Sequence, residues 1–259
     1  MNDFATQYGS TALVTGASSG IGKSFAVQLA AMGLNLVLVA RRLNRLDTLA
    51  AQLRAENKVQ VTVCQIDLSE QDAVHRIMGL SSALDIGLIV SNAGYGLKGD
   101  HSAHDPRALA AMLHVNCNVP MQLTNGFIPR LRERGRGGII LVSSVEALIG
   151  CPYSAAYSAS KAFVKSLGEA LWGELTPEGI DVLTICPGAT DTEALSRHGI
   201  DPAKLPNVMS PDEVARLALS GIKSGPVLIA SEHYKASFDK LLSLPRRDAL
   251  MAMAKSMKG

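Results

Sequence analysis

Tyr157 and Lys161 stand four residues apart in a segment of small and apolar residues. On a helix, this spacing places both side chains on one face, one turn apart. An unperturbed tyrosine has a pKa of about 10, and a nearby ammonium group favours the phenolate. We therefore expect Lys161 to lower the pKa of Tyr157 toward the operating pH, so that the phenol can act as a general acid and base.

Ser144 lies 13 residues before Tyr157, directly after an apolar run that predicts a strand. At the end of a strand, its hydroxyl could donate a hydrogen bond to the same substrate oxygen as Tyr157. The Tyr and Lys pair alone is weak evidence, since any helix can carry it. The serine in front of the pair favours a site for proton transfer.

A glycine-rich turn follows the first apolar run and reads Thr-Gly-Ala-Ser-Ser-Gly-Ile-Gly over 15–22. Glycines let the backbone turn tightly and approach a pyrophosphate, whose charge is met by free N–H groups at the positive end of a helix. An ordinary strand-to-helix turn is the alternative, but the position after the first strand favours a dinucleotide site. The residues expected to contact the cofactor here are Gly16, Ser18, Ser19, Gly20, Ile21 and Gly22.

The end of the second apolar run indicates which cofactor is preferred. An acidic residue about twenty positions after the glycines usually binds the ribose hydroxyls, and it repels a 2′-phosphate. Arg41 and Arg42 occupy this place instead. Because guanidinium groups bind phosphate through paired hydrogen bonds, the two arginines, with Ser18, favour NADP(H) over NAD(H). The alternative is two solvated arginines at the start of a helix.

Seven short apolar runs alternate with longer segments of helical spacing along the chain. The predicted strands are 12–15, 36–40, 59–64, 86–91, 138–143, 181–186 and 226–230, and the clearest helices are 22–33, 43–57, 105–134 and 154–176. This alternation predicts an α/β fold, a Rossmann-type doubly wound parallel sheet of about seven strands with helices on both faces. No linker or repeat is visible, so 1–259 is predicted to form one domain.

The order of these motifs resembles that of the short-chain dehydrogenase/reductase family, with TGxxxGxG, Ser, YxxxK and PGxxxT elements between 10 and 192. The resemblance implies hydride transfer between NADP(H) and a carbonyl or secondary alcohol. It implies a catalytic set of Asn116, Ser144, Tyr157 and Lys161. It adds cofactor contacts at Asp67, Leu68, Asn92, Ala93, Gly94, Pro187, Gly188, Thr190 and Thr192, besides Tyr157 and Lys161. Ser91 replaces the first Asn of the family's NNAG element.

Composition excludes other classes of protein. The net charge of +2 is too balanced for a nucleic-acid partner, and the four cysteines lack metal-ligand spacing. We read the cysteines as apolar fillers in a reducing compartment and predict no metal site. No apolar run reaches the roughly 18 residues that span a bilayer, and no secretory signal is visible, so a cytoplasmic protein is expected.

The last stretch, 233–259, carries six basic and two acidic residues and apolar positions on both sides of Pro245. It predicts a basic amphipathic extension of one or two helices. This extension either packs against the chain itself or against another subunit, or it contacts a membrane surface. The resemblance implies that two subunits pair through helix 154–176. The extension favours a homodimer, with a tetramer as the alternative.

The working direction predicted from these features is reduction of a ketone or aldehyde. Two alternatives are an NADPH-binding sensor or scaffold without turnover, and a sugar epimerase or dehydratase of the same fold, which fits the short C-terminal region poorly. The substrate pocket is expected along 95–98, 145–153 and 188–208. Glu146 is a carboxylate near the reacting groups, and it either meets a polar or cationic substrate group or points to solvent or a backbone partner.

Overall fold

The computed structural model describes residues 3–197, 199, 201, 203, 205 and 207–258. In this part of the chain, seven parallel strands form one sheet in the order β3-β2-β1-β4-β5-β6-β7. The strands are β1 (Thr11–Thr15), β2 (Asn35–Ala40), β3 (Val61–Gln65), β4 (Ile86–Ser91), β5 (Gly137–Val142), β6 (Ile180–Cys186) and β7 (Val227–Ile229). The predicted doubly wound α/β fold is confirmed. The strand order reverses between β1 and β4, where such sheets open a ligand crevice.

Helices cover both faces of the sheet. They are α1 (Asp3–Tyr8), α2 (Gly20–Ala31), α3 (Leu43–Asn57), α4 (Ala73–Leu80), α5 (Pro106–Leu113), α6 (Val119–Arg134), α7 (Ala155–Leu175), α8 (Glu193–Arg197), α9 (Pro211–Gly221), α10 (Glu232–Leu242) and α11 (Arg246–Lys258). One core cluster packs α2, α3 and α9 on the sheet, and a second packs α4, α6 and α7 on the other face. None of the helices that the structure describes has the length and apolar character to cross a bilayer.

The strands form because their apolar runs are buried from both sides. In register, Val14 of β1 lies between Leu38 of β2 and Val90 of β4, and all three side chains are inaccessible to solvent. Such strands are continuous apolar runs because helices cover both faces. Several helices begin at side-chain caps: the Ser210 hydroxyl accepts a hydrogen bond from the Glu213 amide of α9 at 3.1 Å.

The predicted helix 105–134 is interrupted. A π-helical turn, His114–Asn118, separates α5 from α6. Its i→i+5 hydrogen bonding produces a bulge, which the helical spacing of 105–134 did not predict. The boundaries of the other predicted elements differ from the observed ones by a few residues.

The C-terminal stretch forms two helices, α10 and α11, on either side of Pro245. They pack against the chain itself in a third apolar cluster, where Phe238 and Met253 lie against Val145 and Ile149. Packing within the chain, one of the interpretations of this extension, is therefore confirmed.

Candidate active site

A cleft of about 1510 Å³ opens at the carboxyl ends of the strands. It brings together most of the predicted site residues. Those that line it are Gly16, Ser18, Ser19, Gly20, Ile21, Arg41, Arg42, Asp67, Leu68, Asn92, Ala93, Gly94, Ser144, Tyr157, Lys161, Pro187, Gly188, Thr190 and Thr192. Gly22 and Asn116 do not line it but pack against residues that do, Gly16 and Tyr95 respectively. Positions 198, 200, 202, 204 and 206 of the predicted pocket stretch 188–208 lie outside the described residues.

The glycine turn has the geometry that its sequence predicts. Gly16 and Gly20 have φ values of +69° and +54°, a region that favours glycine. A Cβ on Gly22 would stand 2.4 Å from the carbonyl oxygen of Gly16, so this glycine allows close packing beneath the turn. Ser19 at the start of α2 makes no side-chain cap, so the first amides of that helix remain available to an anion. The turn therefore fits the pyrophosphate of a dinucleotide.

Thr15 joins the two strands at the point where the strand order reverses. Its hydroxyl accepts hydrogen bonds at 3.0 Å from the amides of Asn92 and Ala93, and the Asn92 side chain donates to the Thr15 carbonyl at 2.9 Å. The sequence analysis assigned no role to Thr15. A hydroxyl residue directly before the glycine turn was the feature that could have indicated one.

Arg42 lies at the mouth of the turn. Its guanidinium donates hydrogen bonds to Ser18 Oγ at 3.1 Å and Ser19 Oγ at 2.7 Å. The other terminal nitrogen, Nη1, donates to Glu193 Oε2 at 2.8 Å. The start of α8 therefore contacts Arg42, the residue predicted to bind the cofactor's 2′-phosphate. The sequence did not reveal this contact.

The neighbouring arginines have different partners. Arg45 also pairs with Glu193, and hydrogen bonds from Arg45 and Arg42 lower the pKa of that carboxyl to about 2. Arg41 lies 3.7 Å from Asp67, and two thirds of its side chain is exposed. Arg41 and Arg42, adjacent in sequence, thus point to different parts of the cleft.

Lys161 is buried beside the Tyr157 ring. Its Nζ donates to the Val142 carbonyl at 3.0 Å and lies 5.7 Å from the centroid of the Tyr157 ring. The Ser143 hydroxyl donates to the Lys161 carbonyl at 2.7 Å and fastens the helix to the end of β5. Burial lowers the pKa of the Lys161 ammonium to about 8.

The pKa of Tyr157 departs from its usual value in the direction opposite to that expected. Burial raises it, and the negative charge of Glu146 raises it further, while a hydrogen bond with Ser144 acts to lower it. The prediction of a lowered pKa was wrong because it counted the Lys161 ammonium but neither the desolvation of the phenol nor the carboxylate beside it. Ser144 and Tyr157 line the same cleft, as their spacing predicted.

Asn116 lies in the π-helical turn with its side chain fully engaged. Its amide nitrogen donates to the Tyr95 carbonyl at 2.9 Å and to Ser160 Oγ at 3.0 Å, while its oxygen accepts from the Tyr95 amide. A Cβ on Gly94 would lie 3.1 Å from both Asn116 Oδ1 and Lys161 Nζ. Gly94 therefore leaves the space between these two groups open.

Glu146 has a partner that neither sequence interpretation included. Lys98 Nζ lies 2.5 Å from Glu146 Oε1, and both side chains line the cleft beside Tyr157. The carboxylate pairs with a lysine from the segment after β4 rather than with solvent or a backbone group. Sequence separation hid this contact, since the two residues are 48 positions apart.

The nicotinamide end of the predicted cofactor site lies under the tail. A Cβ on Gly188 would stand 2.1 Å from the Tyr234 ring, which packs directly on this backbone. Thr192 lies over the glycine turn, with its methyl group 3.1 Å from a Cβ built on Gly20. Sequence reasoning missed that α10 and α11 wall the cleft, through Tyr234, Phe238, Leu241, Met253 and Met257. The apolar positions of the tail were the signal.

Comparisons with known proteins agree with this architecture. Residues 10–201 match the model of the short chain dehydrogenase family. The 7beta-hydroxysteroid dehydrogenase of Clostridium sardiniense is 28% identical over 98% of this chain and 97% of its own length. Very-long-chain 3-oxoacyl-CoA reductases also match, but the chain spans only 62% of that from Debaryomyces hansenii and 53% of that from Podospora anserina.

Solved structures give the same result. A short-chain dehydrogenase from Sphingobium yanoikuyae in complex with NADPH is 37% identical, with a TM-score of 0.82 over 93% of this chain and 95% of the other. The bulky-bulky ketone specific alcohol dehydrogenase from Comamonas testosteroni is 34% identical, with a TM-score of 0.79 over 94% of each chain. Since the family model covers most of the chain, the protein belongs to the short-chain dehydrogenase family of oxidoreductases.

Proposed function

We propose that the protein is an NADP(H)-dependent reductase of ketones or aldehydes, acting reversibly on the corresponding alcohols. One observation carries the proposal: the phenol of Tyr157, the hydroxyl of Ser144 and the ammonium of Lys161 line the same cleft as the glycine turn. A site for proton exchange is thereby joined to a site for a dinucleotide.

The preference for NADP(H) is assigned to Arg42, with Arg41 beside it. Arg42 reaches the serines of the glycine turn, so its guanidinium lies where the adenosine end of a dinucleotide would pass. A planar guanidinium can form two parallel charge-assisted hydrogen bonds with a phosphate. The relative from Sphingobium yanoikuyae is in complex with NADPH, which supports the same choice here.

The proton step belongs to Tyr157. When bound, a reduced nicotinamide would supply the hydride. The phenol donates its proton to the carbonyl oxygen, and the Ser144 hydroxyl donates a second hydrogen bond to that oxygen. Lys161 holds a positive charge behind the ring, which stabilises the phenolate that remains after the proton has left.

The substrate is proposed to be a bulky, largely apolar carbonyl compound. The tail contributes Phe238, Leu241 and Met253 to the wall of the cleft beyond Tyr157. Two relatives support a large ketone as the substrate. One is a 7beta-hydroxysteroid dehydrogenase and the other is a bulky-bulky ketone specific alcohol dehydrogenase. An NADPH sensor without turnover, the alternative considered from the sequence, gains no support from these relatives.

The test compares wild type with Tyr157→Phe. We expect wild type to consume NADPH with at least one member of a panel of ketones, aldehydes and steroids, and the variant to lose turnover while it still binds NADPH, measured by the cofactor's fluorescence. Tyr153→Phe, which removes a phenol from the same cleft, is the matched control and should keep measurable turnover. Retained turnover in Tyr157→Phe would remove Tyr157 from the proton step, and no turnover by wild type would contradict the function.

A further inference from the structure

A second lysine lies beside the Tyr157 ring. Lys98 Nζ is 5.4 Å from the ring centroid, a distance similar to that of Lys161. Lys98 donates hydrogen bonds to Glu146 Oε1 at 2.5 Å and to Ser154 Oγ at 3.0 Å. The ammonium is thus held between a carboxylate and a hydroxyl on one side and the catalytic ring on the other.

The segment that carries Lys98 is fixed by its backbone. A Cβ on Gly96 would lie 3.2 Å from the Tyr157 ring, so this part of the chain packs directly on the phenol. The Gly99 amide donates to the Tyr153 carbonyl at 2.8 Å. Tyr153 has a φ of +60°, which is costly for a residue with a side chain and is found mainly where surrounding contacts impose it. The position of Lys98 is therefore built into the fold.

Glu146 depends on Lys98. One carboxylate oxygen pairs with the ammonium, and the other, Oε2, is buried without a hydrogen-bond partner among the described residues. Removing one partner of such a pair leaves an uncompensated charge, which is far more costly than removing both. The pair acts as one unit beside Tyr157.

We propose that Lys98 and Glu146 form a positioning pair that keeps Tyr157 in its proton-donating form, the form that carbonyl reduction requires. The inference rests on the proposed function, and it concerns residues that act through Tyr157 rather than on the substrate. Glu146 opposes formation of a second anion beside it. Lys98 holds Glu146 in place and offsets part of its charge.

The charges around Tyr157 come from several elements. Lys161 belongs to α7, Lys98 to the segment after β4 and Glu146 to the turn after β5. The thiols of Cys151 and Cys186 are also near enough to act on the pKa of Tyr157. Burial raises the pKa of the Cys151 thiol to about 12 and that of Cys186 to about 11, so both are neutral near pH 7. Among these groups, Glu146 is the one that carries negative charge there, and it raises the pKa of Tyr157.

The pair predicts opposite effects of its two charges. Glu146→Gln leaves Lys98 uncompensated and should lower the pKa of Tyr157, whereas Lys98→Gln leaves Glu146 uncompensated and should raise it. Each shift is expected to be about two pH units, given unit charges about 5 Å away at an effective dielectric constant near 20. The alkaline limb of carbonyl reduction should move with the phenol, toward lower pH in Glu146→Gln and toward higher pH in Lys98→Gln.

The experiment titrates Tyr157 directly. Protein labelled with 13C at tyrosine Cζ gives one resonance for each of its 5 tyrosines, and Tyr157→Phe identifies the one of interest. The ionised fraction is followed upward from about pH 8 in wild type and both variants, and pH profiles of carbonyl reduction are recorded in parallel. Lys98→Arg keeps the charge and should titrate like wild type, which separates an electrostatic effect from a folding defect.

Glu169→Gln is the matched control for charge removal. Glu169 pairs with Lys165 on the same helix as Tyr157, at 2.6 Å, but lies 12 residues farther along, which is about 18 Å of helix. It should leave the Tyr157 titration unchanged.

Unchanged titration in Glu146→Gln, shifts of the same sign in both charge variants, or an equal shift in Glu169→Gln would overturn the proposal. Because the resonance reports on Tyr157 without substrate, expected shifts in a protein that reduces no carbonyl would place the failure on the proposed function instead.

Discussion

Two glycines of α7 differ in what surrounds them. A Cβ on Gly168 would stand 1.9 Å from the Oγ1 atom of Thr184 on β6 and 3.1 Å from a methyl group of Leu141 on β5. A Cβ on Gly173, five residues farther along the same helix, would meet nothing within 4 Å. The lack of a side chain at Gly168 therefore lets α7, the helix of Tyr157 and Lys161, pack closely against the sheet.

Gly168→Ala should be destabilising. Alanine gains about 1 kcal/mol over glycine in a helix interior, but overpacking a close contact costs about 1–3 kcal/mol. Because the new methyl group would meet a β-branched side chain on a buried strand, we expect the upper part of that range and a net loss of about 2 kcal/mol. This corresponds to a fall in Tm of about 4–8 °C for a chain of this size. Gly173→Ala keeps only the gain and should raise the unfolding free energy by about 0.5–1 kcal/mol.

Urea and thermal unfolding, followed by circular dichroism, test the pair of variants. The double variant Gly168→Ala with Thr184→Ala should recover most of the loss, because the methyl group then occupies the space that Thr184 leaves. A coupling free energy of at least about 1 kcal/mol in this double-mutant cycle is expected. Wild-type stability in Gly168→Ala, or strictly additive effects in the cycle, would refute the close contact as the reason for glycine at this position.

Three further predictions concern the cleft. Arg42→Ala should weaken NADPH binding by roughly 10-fold to 100-fold, since charge-assisted hydrogen bonds contribute about 1.5–3 kcal/mol each. The double variant with Arg41→Ala should weaken NADPH binding further. An equal loss of NADH binding, measured by fluorescence titration, would contradict recognition of the 2′-phosphate by these arginines. Glu193→Gln should tighten NADPH binding about threefold or more by freeing Arg42, and weaker binding would show instead that the carboxylate helps to retain the cofactor. Phe238→Ala should raise the KM for bulky ketones about tenfold and leave that for small ones nearly unchanged; a uniform change in KM would remove Phe238 from the substrate wall.

The strands and the chemistry-bearing motifs could be predicted from the sequence because both depend on local patterns. A buried parallel strand is a short apolar run, and a glycine turn or a Tyr and Lys pair occupies a few consecutive positions. Thr15 to Gly22 and Tyr157 to Lys161 carry their geometry in their spacing. The structure brings these segments to one cleft, as a parallel sheet requires of residues at the carboxyl ends of its strands.

The remaining features depend on contacts between distant segments. The sign of the Tyr157 pKa follows from burial and from Glu146, neither of which the Tyr and Lys spacing contains. The partners of Glu146 and Arg42, Lys98 and Glu193, lie 48 and 151 residues away in sequence. The π-helical turn was not predicted from the apolar periodicity. Electrostatic neighbours are set by the assembled fold, and one sequence does not reveal them.

The wall formed by α10 and α11 lies outside residues 10–201, the part that matches the family model. Its contribution to the cleft is therefore separable from the residues proposed to exchange the proton and to hold the dinucleotide. Transplanting this helical hairpin between relatives should exchange their substrate preferences while each recipient keeps its own cofactor preference. The fold thus offers a modular route by which one oxidoreductase scaffold can acquire new substrates.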